Sequence, residues 1–143
     1  MTGLLGHIEG DAHYFPLKVW WEDTDAGGIV YYANYLKFTE RARSALLKVL
    51  GVDQRAMLDD PDGAMFAVRD VTVTYLEPAR LDDDLVVRTR LAELKGATIT
   101  LDQDVLRDGA VLVKSSVRAA FIGVGRGPRR IPAGIRSAME QLG

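Results

Sequence analysis

The chain has 143 residues, 48% hydrophobic and 27% charged, the proportions of an ordinary globular domain that can bury roughly 68% of its extended surface without covalent staples. It contains no cysteine, which excludes a disulfide framework, a thiol nucleophile, an iron–sulfur cluster and a thiolate-ligated zinc site. Eighteen Lys and Arg against 20 Asp and Glu leave a formal charge of −2, without the basic footprint of a general nucleic-acid binder.

In chain order, residues 1–13 carry Glu9 and Asp11 where a secretory signal would need a basic start and an apolar run, so a cytoplasmic protein is expected. Gly3, Gly6 and Gly10 suggest a mobile, solvated arm here. His7, Glu9, Asp11 and His13 alternate along it, a pattern that on a strand would put four ligand types on one face. An arm does not hold such a face, and no metal is expected. Phe15, Leu17, Val19 and Trp21 then alternate with less apolar neighbours, predicting a strand with one buried side. It stops at the turn formers Asp23-Thr24-Asp25-Ala26-Gly27-Gly28.

From residue 34 to 50 the period changes. Tyr35, Phe38, Ala42, Ala45, Leu46, Val49 and Leu50 follow helical spacing, with Asn34 as the expected cap and Gly51 where a terminating glycine belongs. Beyond the Asp59-Asp60-Pro61-Asp62-Gly63 stretch, strands are predicted over residues 65–76, 85–94, 97–106 and 110–122. Asp108-Gly109 marks a tight hairpin, and residues 132–142 add a short helix. One helix followed by consecutive hairpins points to an α+β domain over residues 1–143, with about five antiparallel strands wrapped on one long helix.

Several site classes fail. The serines lack a Gly-x-Ser-x-Gly context, and both histidines precede the first strand, so a Ser-His-Asp triad has no base. Gly123-Val124-Gly125-Arg126-Gly127 has no following Gly-Lys-Ser/Thr, and Pro128 and Pro132 break the helix that a phosphate loop needs. What remains is the loop from Glu22 to Tyr35. Asp23 and Asp25 sit on it, Gly27 and Gly28 let a ligand approach main-chain N–H groups, and the helix start concentrates unpaired donors. A carbonyl placed there would be polarised beside a carboxylate able to attack it or to activate water, a constellation suited to acyl transfer or hydrolysis. The alternative is that both aspartates only shape the turn.

The run from Val19 to Arg43, VWWEDTDAGGIVYYANYLKFTERAR, resembles the signature of the hotdog-fold acyl-CoA thioesterases of the 4-hydroxybenzoyl-CoA thioesterase family, in particular the branch associated with the Tol-Pal envelope system. Val73, Tyr75, Pro78, Ala79, Arg80, Leu81, Asp82, Asp83 and Leu85 extend the likeness over residues 17–131. The resemblance implies a hotdog fold, a hydrolase releasing a free acid and coenzyme A, and Asp25 as the catalytic carboxylate, acting as nucleophile or general base, with Asp23 structural. The backbone N–H of Tyr32 would bind the thioester oxygen. The Tol-Pal branch commonly has histidine where this chain has Tyr32, whereas the hydroxybenzoyl-CoA enzymes resemble it in carrying tyrosine. No second acid or base then stands beside Asp25.

Trp21 is expected either to line the pocket or to point into the core. Glu40 is a rival carboxylate whose spacing also fits an ion pair with Arg43. Residues 125–143 hold Arg126, Arg129, Arg130 and Arg136 against Glu140 alone, so Arg129 and Arg130, with Lys95, Gly96 and Thr98, are candidate contacts for coenzyme A phosphates, or else surface charge or a subunit contact. No redox cofactor is expected, coenzyme A being part of the substrate. Acyl carrier protein is an alternative thioester carrier. The family pairs protomers across sheet edges, so a homodimer or homotetramer is implied. A hotdog dehydratase would need a catalytic histidine in the fold; a non-catalytic acyl-thioester or protein-binding module is the other alternative.

Overall fold

The structure, a computed structural model, describes residues 3–142. Strand β1 (His7–Glu9) turns into β2 (Ala12–Lys18), and a short 3-10 turn (Trp21–Asp23) and a loop lead to helix α1 (Asn34–Val49). Helix α2 (Gln54–Asp59) precedes the long strands β3 (Ala64–Tyr75), β4 (Asp84–Leu94), β5 (Thr98–Arg107) and β6 (Ala110–Gly123). Strand β7 (Gly127–Pro128), helix α3 (Ala133–Met139) and a 3-10 turn (Glu140–Leu142) complete the described chain. All seven strands form one antiparallel sheet in the order β1-β2-β4-β5-β6-β3, with β7 on β6. The α+β hotdog architecture expected from the sequence is therefore present, with two short strands beyond the expected five. Among the described residues no helix is long and apolar enough to cross a membrane.

The N-terminal stretch differs from expectation. Residues 7–18 are a β-hairpin built into the sheet, and His13 is fully buried. The glycines read as signs of mobility are turn formers. Gly6 has φ +72° and sits so close to Tyr14 that a Cβ would lie 2.1 Å from its carbonyl oxygen, a contact open only to glycine. His13 Nε2–H donates to the Leu5 carbonyl at 2.8 Å and ties the hairpin's approach to the strand. Residues 1 and 2 of the expected arm lie outside the described residues.

Strand β2 also ends earlier than the alternation suggested. After Lys18 the chain crosses to the β3–β4 connection, where Val19 N–H donates to Asp83 O at 2.9 Å and Val19 O accepts from Asp82 N at 3.0 Å. Trp21 consequently lies on the 3-10 turn at 78% exposure, not in the core. Asn34 does not cap α1. It is the first helical residue, and its side chain reaches back to Asp23. Gly51 follows the helix at φ +81°, and Asp108 and Gly109, at φ +51° and +82°, make the expected β5–β6 hairpin turn.

The sheet wraps α1, whose buried stripe Tyr35, Phe38, Ala42, Ala45 and Leu46 repeats at helical spacing. Two apolar clusters result, one around Val19, Phe38, Val87 and Val105, the other around Leu46, Leu101, Phe121 and Ile131. A polar row crosses the sheet at the register His13–Thr89–Gln103–Ser115. All four are buried. Gln103 Nε2 donates to Thr39 O and Thr89 Oγ1, both at 3.0 Å, and its Oε1 accepts from Arg43 at 2.9 Å. Helix and sheet are thereby joined in one register by hydrogen bonds that only this alignment satisfies.

Candidate active site

The loop between the 3-10 turn and α1 is held from several sides. Asp23 is buried, and its Oδ2 accepts from Trp20 N–H at 2.9 Å, closing the turn. Its main-chain oxygen gathers Tyr31 N–H at 3.0 Å and the Asn34 side-chain amide at 2.9 Å. Residues 24–30 fold back on themselves. Asp25 N–H donates to Ile29 O at 2.9 Å, Gly28 N–H to Asp25 O at 3.1 Å, and Thr24 bridges Val30. Gly28 has φ +77° with nothing within 4 Å of a built Cβ, so backbone conformation, not crowding, selects glycine there.

The loop is then fastened to the β3–β4 connection. Val30 N–H donates to Ala79 O at 2.9 Å and Leu81 N–H to Gly28 O at 3.1 Å. Ala79 N–H in turn donates to the Tyr35 hydroxyl at 3.0 Å, so one residue, Ala79, joins the loop to the first turn of α1. On this frame Asp25 is exposed. Its Oδ1 accepts from Gly27 N–H at 2.8 Å, and its Oδ2 has no protein partner among the described residues. At the helix entry the backbone N–H of Tyr32 is also unpaired among the described residues, while the Tyr32 carbonyl accepts from the Tyr75 hydroxyl at 3.0 Å. A cleft of about 330 Å³ opens beside Tyr32, walled by Ile29, Tyr32, Tyr35, Tyr75 and Pro78; Asp25 and Gly28 are not among its lining residues. Burial raises the Tyr35 hydroxyl pKa against the opposing effect of the Ala79 hydrogen bond.

Asp25 and Gly28 are joined within one loop by the Gly28 N–H to Asp25 O hydrogen bond, and Tyr32 follows at the helix entry, where it lines the cleft. The other expected residues are elsewhere. Trp21 does not line the cleft. Glu40 pairs with Arg43 one turn along α1 and borders a second, mostly apolar cavity of about 60 Å³ between α1 and the sheet. Lys95 and Thr98 flank the β4–β5 turn, where Lys95 pairs with Glu93 at 3.0 Å. Arg130 lies against that turn, since Ile131 N–H donates to Gly96 O at 2.8 Å, and Arg129 donates to Asp62 O at 2.6 Å. Strand β4 is 11 residues long, so its Asp84 end, beside the Asp25 loop, lies about 33 Å from its Leu94 end at strand rise. Within one chain the basic group does not reach Asp25.

Sequence reasoning did not single out Tyr75 or the Asn34 side chain as part of this site. Tyr75 closes a β-branched strand and reads as sheet; Asn34 reads as a cap. His7, Glu9, Asp11 and His13 do not converge, because the hairpin turns between them, and among the described residues no group of three or more His, Asp or Glu could hold a metal.

The profile of the thioesterase-like superfamily matches residues 19–139. The chain is 40% identical over 129 residues to an acyl-CoA thioesterase, YbgC, of Haemophilus influenzae, covering 90% of this chain and 94% of the relative. It is 34% identical to the acyl-CoA thioester hydrolase YbgC of Escherichia coli O157:H7, over 89% of this chain and 95% of that protein. Among solved structures, a probable thioesterase from Bartonella henselae superposes with a TM-score of 0.81 at 34% identity, covering 85% of this chain and 99% of that one.

Proposed function

The chain belongs to the thioesterase-like superfamily and is an acyl-CoA thioester hydrolase, and we propose that it cleaves its substrate with Asp25 as the catalytic carboxylate and the Tyr32 backbone N–H as the donor to the thioester oxygen. The observation that carries this reading is the pair of unsatisfied groups on one anchored loop. Asp25 Oδ2 and Tyr32 N–H both lack protein partners among the described residues, while the loop that carries them is pinned by the Asp25 N–H, Gly28 N–H, Tyr31 N–H and Asn34 N–H hydrogen bonds.

A carbonyl oxygen taking the Tyr32 N–H would sit at the positive end of α1, where negative charge building on it is favoured. Asp25 Oδ2 then acts on the carbonyl carbon either directly, forming an acyl-aspartyl anhydride that water resolves, or by taking a proton from the attacking water. In both routes the carbon–sulfur bond breaks, the thiolate leaves and takes up a proton, and one water is consumed. Water is the co-substrate, and neither a redox cofactor nor a metal enters the scheme. The cytoplasm, where acyl-CoA and reduced thiols coexist, is the proposed compartment.

The site is completed by a second copy. Strand β3 is the outer strand of the sheet, running from Ala64, beside Gly123 and the arginine-bearing β6–β7 turn, to Tyr75 in the tyrosine cleft. An antiparallel β3–β3 pairing would lay the partner's Ala64 end next to Tyr75. It would bring the partner's Arg126, Arg129, Arg130, Lys95 and Thr98 toward the Asp25 loop, on the side where phosphates of coenzyme A need cations. The proposed unit is therefore a homodimer, with a tetramer as a further assembly of it.

Hydrolysis of short, long and aromatic acyl thioesters, carried by CoA or by acyl carrier protein, is the test. Asp25→Asn is expected to lower kcat by about a hundredfold or more, and turnover in water enriched in heavy oxygen separates the routes, label in the Asp25 carboxylate marking direct attack. Unchanged kcat in Asp25→Asn would remove the carboxylate from the mechanism. Binding of acyl thioesters without turnover by the wild type would make the protein a binding module.

A further inference from the structure

We infer that Tyr75 and Asn34 are positioning residues for the reaction, holding the turn over residues 31–34 so that the Tyr32 N–H stays fixed where the thioester oxygen must sit. This rests on the reading of that N–H as the carbonyl donor. A main-chain donor cannot be oriented by its own side chain. Its direction is set by the peptide units on either side, and the first residues of a helix are where chain ends fray.

Here both sides are fixed. Upstream, Tyr31 N–H donates to Asp23 O at 3.0 Å, and downstream the Tyr32 carbonyl accepts from the Tyr75 hydroxyl at 3.0 Å. The Asn34 side-chain amide closes the turn onto the same Asp23 oxygen at 2.9 Å, and Asn34 N–H reaches Tyr31 O at 2.8 Å. Across residues 31–34 the N–H groups of Tyr31 and Asn34 are paired, and those of Tyr32 and Ala33 are left without a partner among the described residues. Tyr32 is the one whose own carbonyl is held by a side chain, the Tyr75 hydroxyl.

Tyr75 is well placed to act as a fixed post. It is the last residue of β3, and its ring meets Tyr32 edge-on at 6.2 Å and Tyr35 at 5.6 Å between centroids. Tyr35 is itself fastened through Ala79 N–H. Burial, with Tyr32 alongside, raises the Tyr75 hydroxyl above its ordinary pKa, so it remains a proton donor through the neutral and mildly alkaline range. An alternative role, ring packing against the acyl group in the cleft, would act on substrate affinity and not on the donor's direction.

Tyr75→Phe keeps the ring and deletes the hydroxyl, and Asn34→Ala deletes the amide. Each is expected to lower kcat about tenfold, less than loss of a donor itself, with KM and thermal midpoint close to wild type. Unchanged kcat, or a change confined to KM, would overturn the inference. The infrared carbonyl stretch of an acyl-CoA bound to the non-turning-over Asp25→Asn enzyme gives the second readout. It is expected to lie below that of free substrate, and to move back toward the free value when Tyr75→Phe is added. A lowered stretch that Tyr75→Phe leaves in place overturns the positioning role while leaving the donor standing. No lowering in Asp25→Asn removes the donor reading, and the inference with it.

Discussion

Asp25 and Asp23 stand two residues apart and have opposite fates, which the backbone decides. Each carboxylate accepts one backbone N–H, Asp23 from Trp20 and Asp25 from Gly27, but Asp23 is buried while Asp25 stays exposed. His13 is the residue whose surroundings sequence reading missed most fully. Its Nε2–H is bonded to Leu5 O, and its buried Nδ1 has no partner among the described residues. Burial pushes the imidazole below its ordinary value, outweighing the Leu5 bond that favours the charged form, and His7 nearby adds to the lowering. The unfolded chain therefore binds more protons than the folded one between the depressed pKa and about 6.5, so stability rises with pH across that window and is lost as pH falls through it. The thermal midpoint is expected to drop on acidification from pH ~7 to ~5, and to drop less in His13→Gln. An equal drop in both proteins would show that His13 is not the group responsible. The sequence spacing of Gly3, Gly6 and Gly10 could not separate a mobile arm from a hairpin, because glycine serves both; the contact of Gly6 with Tyr14 that settles it is tertiary.

Elements were legible where local pattern and packing agree. The four long strands after α2 fall within one residue of their expected bounds, since alternation and the Asp108-Gly109 turn are local signals. Helix α2, six residues capped by Asp53 on Ala56 N–H, and the two-residue β7 are too short to carry a period. Strand β5 shows what alternation can say and residue type can hide. Ile99, Leu101, Gln103 and Val105 share its inner face, and the glutamine among them is fully buried. Its amide satisfies Thr39 O, Thr89 and Arg43 together, so Gln103→Leu would keep the volume and leave three buried or half-buried partners unmatched. A loss of roughly 1–3 kcal/mol is expected, read as a lower urea midpoint with unchanged slope. A neutral result would mean that α1 does not depend on this row for its seat on the sheet. The loop that bears Asp25 is fastened to the β3–β4 connection in the same non-local way. Asp83 there is held below the usual carboxylate range: burial would raise it, but the Arg80 N–H and Arg107 hydrogen bonds prevail.

At the scale of the whole molecule, the single chain exposes 8134 Å², against roughly 7,300 Å² for a compact chain of this length, and the uncovered area includes an outer strand with Met65, Val68 and Tyr75 exposed. Long edge strands with apolar side chains invite pairing, and a lysine placed on them opposes it. Val68→Lys is therefore expected to halve the mass measured by light scattering while leaving the circular dichroism of the fold intact. If the partner's arginines serve the phosphates, the separated protomer should lose activity on CoA thioesters through a rise in KM of about tenfold or more, since charge-assisted phosphate contacts carry roughly 1.5–3 kcal/mol each. A small acyl thioester without phosphates should still be hydrolysed at a rate near that of the dimer, because the Asp25 loop, Asn34 and Tyr75 all belong to one chain. Equal loss on both substrates would instead place a catalytic contribution, not phosphate binding, on the partner. Full CoA-thioester activity in a monomeric variant would return the basic end of the sheet to the status of solvated surface.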